Sequence, residues 1–551
     1  MKHFQFLYFL FLIFLLNACG VKRSLENRPD LTGIEKIDTT RVQHNDSTYS
    51  IGKNTLAKNQ YGIWELYVEG DPLERGLITG SLTRELMHKQ EKAIFDKIET
   101  MVPSVGYQKF LSKMISFFNR KMHLHVPEEY KAEIYGVSRF ALEEYDTFAA
   151  PYVRSLYLHG AHDIGHALQD LMLVGCTSFA AWDSSTADGQ LLIGRNFDFY
   201  ISDEFAEEKI AAFINPSEGH KFMMYTWGGM MGVVSGMNEK GLTVTINAGK
   251  SRIPLLAKTP ISLVAREILQ YAGTTAQAVE IARKREVFVS EAIMVGSAVE
   301  RKAILIEVAP NNFGVYEVAN TNQLVCSNHF QSEEYREDRR NNKARVESHS
   351  NYRFNRMLEL LDEREAITPI HAAEILRNKD GLKDDPIGLG NEKAINQLLA
   401  HHGIIFKPEE NMVWISSNPF QMGAFVAYDL NVAFQKFMEG GEPESVAIED
   451  LTIPEDDFLS TQQFKNYREY RTLNEDILLK NYEVQESEIL RFISLNPYNW
   501  KSWAVAGEYY YRKKEYKKAV IHFKQAQNRE VTTLPDQKWL DKMIKKSYRK
   551  F

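Results

Sequence analysis

The stretch LVGCTSFAAW, residues 173–182, decides how this chain is read. A glycine and a cysteine end an apolar run, and two hydroxyl residues and further apolar residues come directly after. The chain has three cysteines in 551 residues. A cysteine in such a setting is ordinarily a small buried core residue. The weight of Cys176 therefore depends on the other two cysteines and on the motifs downstream of it.

The first of them lies at the N-terminus. MKHFQFLYFLFLIFLLNACG has a short basic start, an apolar run from Phe4 to Leu16 and small residues around Cys19. This is the pattern of a secretory signal, too short for a comfortable membrane span. Its end, Leu16-Asn17-Ala18-Cys19, resembles the bacterial lipobox, which implies a signal peptide over 1–18, lipidation of Cys19 and a lipid anchor in the bacterial cell envelope. The remaining two cysteines do not form a disulfide framework. With 66 basic and 73 acidic side chains, a net charge of -7 and 44% hydrophobic residues, the chain is an ordinary globular one. It carries no basic excess for a nucleic acid.

Residues 19–58 are polar, with few aromatics, and are expected to be a tether. From Tyr61 the pattern tightens: YGIWELYVEG alternates like a strand, and helical periodicity runs on to RSLYLHGAHDIGHALQDLM. After Cys176 strand patterns dominate, broken by the helical ISLVAREILQYAGTTAQAVEIARKR, and then resume with EAIMVGSA, KAILIEVAP, FGVYEVA and LVCSN. Strands, helices, then strands predict an α+β sandwich of sheets with helices outside, over residues 59–450. Residues 451–551 are helical. Trp503, Gly507, Tyr510, Ala519 and Phe523 match tetratricopeptide (TPR) spacing, with Ala506 where leucine is usual. This TPR-like bundle either packs on the scaffold or binds a protein partner.

Downstream of Cys176 come GRNFDF, with Arg195 and Asp198 three apart, NEKGLTVTINAG with Asn247, LVCSNHF with Asn328, and SNYRFNR with Arg353. In this order, over roughly residues 60–440, they resemble the cysteine N-terminal-nucleophile (Ntn) hydrolases. That group includes choloylglycine hydrolases, penicillin V acylases and the isopenicillin N acyltransferase (acyl-CoA:6-aminopenicillanic acid acyltransferase) family. The resemblance implies a four-layer αββα sandwich and self-cleavage between Gly175 and Cys176. The freed α-amine, with a pKa near about 7.7, would then serve as the base for the Cys176 thiol. Glycine at 175 would let the backbone adopt the strained form that this attack requires.

Carried over motif by motif, Asp198 would hold the freed amine, Arg195 would favour thiolate, and Asn247 would be the oxyanion-hole donor. Asn328 would tie substrate to nucleophile, and Arg353 would be the distal arginine. Thr177 and Ser178 would assist cleavage or serve the strand alone. Cys326 reads as packing. The patterned segment before Cys176 favours the isopenicillin N acyltransferase side, where the cut piece remains as a smaller subunit.

The implied activity is that of an amidohydrolase or acyltransferase on a small or lipid-like N-acyl substrate, through an acyl-enzyme on Cys176 and without a cofactor. The aromatic-rich strand residues 222–227 agree with an apolar acyl group, although aromatic strand residues are ordinarily core. A papain-like protease would need a histidine beside Cys176, with His159, His162, His166 and His329 available. It would leave Arg195, Asp198 and Asn247 unexplained. A metal site at His159, His162 and His166 lacks the glutamate its spacing requires, and no metal is expected. A lipid-anchored scaffold acting through its helical C-terminus is the non-enzyme alternative.

Overall fold

The computed structural model describes residues 20–160, 173–251, 256–399 and 401–551. Cys19, the signal segment 1–18, His162 and His166 lie outside the described residues. Two sheets carry the architecture. Among the described residues the larger has eleven strands, in spatial order Val42–Asn45, Thr48–Ile51, Asn54–Lys58, Trp64–Gly70, Lys209–Pro216, Phe222–Trp227, Ser235–Asn238, Leu242–Ala248, Glu291–Ser297, Lys302–Ala309 and Asn312–Tyr316. The smaller has seven: Gln323–Cys326, Thr177–Ala181, Leu192–Phe197, His402–Lys407, Met412–Ser416, Phe425–Asp429 and Ile448–Ile453.

Each sheet is covered on both faces, so its strands read as continuous apolar runs and their alternate residues enter different cores. In the smaller sheet Ile193 and Ile404 face the larger sheet, where they meet Phe213 and Met223. Their neighbours Leu192 and Ile405 face outward, onto Met357 and Ala372 of the helices Ser350–Asp362 and Pro369–Leu376. In the larger sheet Ala212, Ile214, Phe222 and Met224 face a second helical layer that includes Pro72–Leu82, Glu128–Ser138 and Ile261–Tyr271. Helix, sheet, sheet, helix is the four-layer αββα order expected from the sequence.

Two boundaries differ from expectation. Residues 42–58 are no tether: they form three antiparallel strands at the edge of the larger sheet. Polar composition hid a hairpin, in which Gly52 at φ 57° turns the chain between Ile51 and Asn54 while Ile51 and Leu56 are buried. At the other end, strand Ile448–Ile453 pairs with Phe425–Asp429 and carries the sheet past residue 450. Residues 222–227 are wholly buried between the helical layer and the inter-sheet core, and so are packing residues.

The C-terminal region consists of helices Gln462–Leu479, Glu486–Leu495, Trp500–Arg512, Tyr516–Gln527 and Leu534–Tyr548. A Cβ on Gly507 would fall 2.5 Å from the Phe523 ring, so glycine lets the helices carrying the repeat-like spacing pack closely. These helices share a core with Leu389, Leu398 and Met422, residues of the sandwich. The side chains of Asn496 and Asn499 donate to the Leu389 carbonyl at 2.8 and 3.0 Å. Among the described residues no helix is long and apolar enough to cross a membrane.

Candidate active site

Cys176 opens strand Thr177–Ala181, and the period of two sorts what surrounds it. Ser178 and Ala180 lie on the inter-sheet face, with Arg195 of the adjacent strand opposite Ser178. Thr177 lies on the other face, toward helix Ser350–Asp362. Cys176 is fully buried, and its sulfur is 3.8 Å from Arg195 Nη2. Arg195 crosses between the sheets: Nη1 donates to Ser235 Oγ at 2.5 Å and Nη2 to the Ile246 carbonyl, both on the larger sheet. Phe197 lies under its guanidinium, 4.3 Å from ring centroid to Cζ.

The other residues singled out in the sequence converge on the same place. Asn247 is on the inter-sheet face of Leu242–Ala248, where its Oδ1 accepts from Ser178 Oγ at 3.0 Å and its Nδ2 donates to the Cys326 carbonyl at 3.3 Å. An amide nitrogen has two N–H groups, and this bond uses one of them. Asn328, half-buried, donates through Nδ2 to the Ala248 carbonyl at 2.9 Å. Arg353 is fully buried and joins three parts of the site: it donates to the Cys176 carbonyl at 2.8 Å, to Thr177 Oγ1, and to Asn328 Oδ1 at 2.6 Å. Arg353 is thus bonded to the backbone of Cys176 itself. Asp198 is fully buried; its backbone carbonyl accepts from Gly175 N–H at 3.2 Å, and its Oδ1 has no hydrogen-bond partner.

Burial governs the charges. The Cys176 thiol is pushed up to about 11, because desolvation outweighs the pull of Arg195. In the uncut chain the sulfur is therefore a thiol at neutral pH, and Arg195 alone does not make it thiolate. Burial also raises Asp198 to about 7, against the lowering influence of Arg353, Arg195 and Gln421, and brings Arg353 down to about 10. Cys176 thus keeps its proton, and of the two Asp198 carboxyl oxygens Oδ1 is without a partner.

The φ of Gly175 is outside the left-handed region in this structure, and a separate reason for glycine is visible. The reason is space: a Cβ at 175 would fall 2.2 Å from Nε2 of Gln397. That nitrogen donates to the Gly175 carbonyl at 2.9 Å and to Asp198 Oδ2 at 3.3 Å. Gln397 was not legible in the sequence, since it sits 222 residues from Gly175 in a loop without motif. Behind Arg195, Ser235 Oγ and His402 Nε2 are 2.9 Å apart, and His402 Nδ1 meets His401 Nδ1 at 2.8 Å.

Among the described residues no histidine hydrogen-bonds to Cys176. His159 is engaged by the Ser155 carbonyl at 2.8 Å and the Met231 N–H at 2.9 Å, and His329 by Ser350 Oγ at 2.8 Å. Cys176 and Cys326 are both buried free thiols. No cluster of metal-ligating side chains occurs among the described residues.

Two facing sheets between helical layers, with a cysteine at the head of a strand of the smaller one, form an αββα sandwich, the layer order that the resemblance to the Ntn hydrolases implies. Residues 184–415, under half of the chain, match the family described as acyl-coenzyme A:6-aminopenicillanic acid acyl-transferase, which supports a place in that class. The match takes in Arg195, Asp198, Asn247, Asn328, Arg353 and Gln397, and begins after Cys176.

The chain is 28% identical over 282 residues to an uncharacterized protein of Archaeoglobus fulgidus. That alignment covers 46% of this chain and 45% of the relative, so the chain spans under half the length of that relative. Similar solved structures include the Caenorhabditis elegans ortholog of N-acylethanolamine-hydrolyzing acid amidase, with 18% identity and a TM-score of 0.31 over 42% of this chain and 93% of that one. Another is a mutant of conjugated bile acid hydrolase from Clostridium perfringens, with 14% identity and a TM-score of 0.33 over 50% of this chain and 96% of that one.

Proposed function

We propose that the chain is a self-cleaving cysteine amidohydrolase that acts on small or lipid-like N-acyl amides through an acyl-enzyme on Cys176. The observation that carries this reading is the donor set around one buried cysteine. Arg195 lies at the sulfur, Arg353 at the Cys176 carbonyl, Asn247 has one amide N–H to spare, and Asp198 presents an unpartnered carboxylate oxygen. Cleavage after Gly175 would convert the Cys176 amide nitrogen into an amine. That amine is the base the thiol lacks, and Asp198 is the acceptor that would orient it. Thiolate attack on an amide carbonyl would place negative charge on an oxygen that Asn247 can receive. Transfer of the acyl group to an amine rather than to water is the second reading, favoured by the acyltransferase description of the matching family.

N-terminal sequencing and intact mass of the purified protein test the proposal. A chain beginning at Cys176 is expected, and Cys176→Ala should leave one uncut, inactive chain. The cut protein, incubated with N-acyl amino acids, ceramides, conjugated bile acids and penicillin V, with and without acceptor amines, should gain an acyl mass on the chain beginning at Cys176. An active chain that is still full length would refute the role of the amine. If no substrate acylates the cysteine, the scaffold reading gains.

A further inference from the structure

We infer that the Gln397 amide is the oxyanion donor for the chain's own cleavage, aimed at the Gly175 carbonyl where charge develops as Cys176 attacks. The inference rests on the self-cleavage proposed above and concerns a different oxygen from the one a substrate would bring. Nε2 is 2.9 Å from the Gly175 oxygen, and Gln397 is 1% exposed. A buried N–H in a dry site stabilises an oxyanion far more than water would, because it is already oriented when the charge forms.

The other donors of the site are directed elsewhere. Arg353 holds the carbonyl of Cys176, one residue beyond the bond to be cut. Asn247 donates to the Cys326 carbonyl, and Arg195 is engaged by Ser235, the Ile246 carbonyl and the Cys176 sulfur. Gln397 is also held firmly. Its second bond goes to Asp198 Oδ2, and the next residue, Leu398, has a left-handed backbone at φ 51°. Leu398 N–H donates to Asn396 Oδ1 at 2.9 Å, and its carbonyl accepts from Tyr467 of the C-terminal helices at 3.2 Å. Glycine at 175 completes the arrangement, since a Cβ there would fall 2.2 Å from Nε2 and push the amide aside. An unfavourable backbone state kept by surrounding bonds is a common mark of a functional position.

In the first step a bond forms between Cys176 Sγ and the Gly175 carbonyl carbon, and the carbonyl π electrons move to the oxygen that Gln397 faces. The tetrahedral centre collapses by breaking the C–N bond, and the nitrogen takes the proton that sulfur gives up. A Gly175 thioester on Cys176 and a free α-amine result. Water then adds to the thioester carbonyl, placing charge on the same oxygen. The C–S bond breaks, sulfur regains a proton, and Gly175 becomes a carboxylate.

The test monitors precursor cleavage in the full chain by gel and intact mass over time. Gln397→Leu, which keeps the volume but removes the donor, is expected to slow cleavage by about 100-fold or more. Gln397→Glu should cleave faster as pH falls through the titration of the new carboxyl, since only the protonated acid carries a donor. A merely structural role would not produce that profile. Gly175→Ala meets the movable end of the Gln397 side chain and should slow cleavage while thermal unfolding stays near wild type, so it decides the matter if Gln397→Leu fails to fold. Cleavage at the wild-type rate in a folded Gln397→Leu or in Gly175→Ala, or a Gln397→Glu pH profile matching wild type, overturns the inference. A wild-type chain that is never cut defeats the self-cleavage proposal instead, before any variant is compared.

Discussion

Asp198 is the residue whose ionisation best reports the state of the site. Burial raises its pKa from 3.8 to about 7 in the uncut chain. The folded protein then holds a proton that the unfolded chain releases near pH 4, so stability should fall as pH rises from about 4 to about 7 and level off above. The drop is at most about 4 kcal/mol, from roughly three units at about 1.4 kcal/mol each. Comparing thermal unfolding of uncut Cys176→Ala at pH 5 and pH 8 with and without Asp198→Asn isolates this contribution, and the added substitution should make the change from pH 5 to pH 8 less destabilising, while Glu65 and Glu307, also raised by burial, keep their own share. An unchanged slope in the double variant would place the titration elsewhere.

Strand pairing decides what a cut after Gly175 would do to the molecule. Strand Trp64–Gly70, before the cut, pairs in parallel with Lys209–Pro216, after it, over seven residue pairs. Helix Pro72–Leu82 packs in the same core as Val244 and Ile246 of the later chain. Arg75 of that helix and Arg266 both reach the buried Glu133, joining segments on either side of residue 175. Main-chain ladders and a continuous core hold without covalent continuity. The two pieces are therefore expected to co-migrate on size exclusion with reducing agent present and to separate only in denaturant. Elution of the small piece alone under native reducing conditions would contradict this.

For the molecule as a whole, that shared sheet links the two ends of the proposed biology. If Cys19 is lipidated, as the Leu16-Asn17-Ala18-Cys19 motif implies, the anchor belongs to the smaller piece and the nucleophile to the larger. Both pieces of the wild type should then partition with membranes after cutting, and Cys19→Ser should release both. Equal fatty-acid labelling of Cys19→Ser would remove the anchor. The C-terminal helices also bear on the site, because Tyr467 holds Leu398 and the salt bridges Lys393–Glu530 and Lys501–Glu392 fasten the same loop. These contacts bind the helical region to the sandwich beside the site. They leave untouched the exposed faces of those helices, where Leu479, Leu490 and Ile521 lie.

The residues that the structure gathers around Cys176 were legible along the chain. Cys176 immediately precedes the strand Thr177–Ala181, Arg195 lies on the adjacent strand, Asp198 directly succeeds that strand, and Asn247, Asn328 and Arg353 each sit in a short motif. Apolar runs announced strands covered on both faces, because a period of two or an unbroken run is a property of neighbouring residues. The strands 42–58 were missed because the edge of a sheet tolerates polar side chains. Their pairing depends on Trp64–Gly70 being present to receive them. The reason for glycine at 175 was missed for a related cause. What a Cβ there would displace is an amide 222 residues away, brought in by a loop whose course is set by contacts with a separate group of helices. Periodicity and motif are written between residues close in sequence, whereas the approach of Gln397 to the Gly175 carbonyl exists only once distant segments have packed.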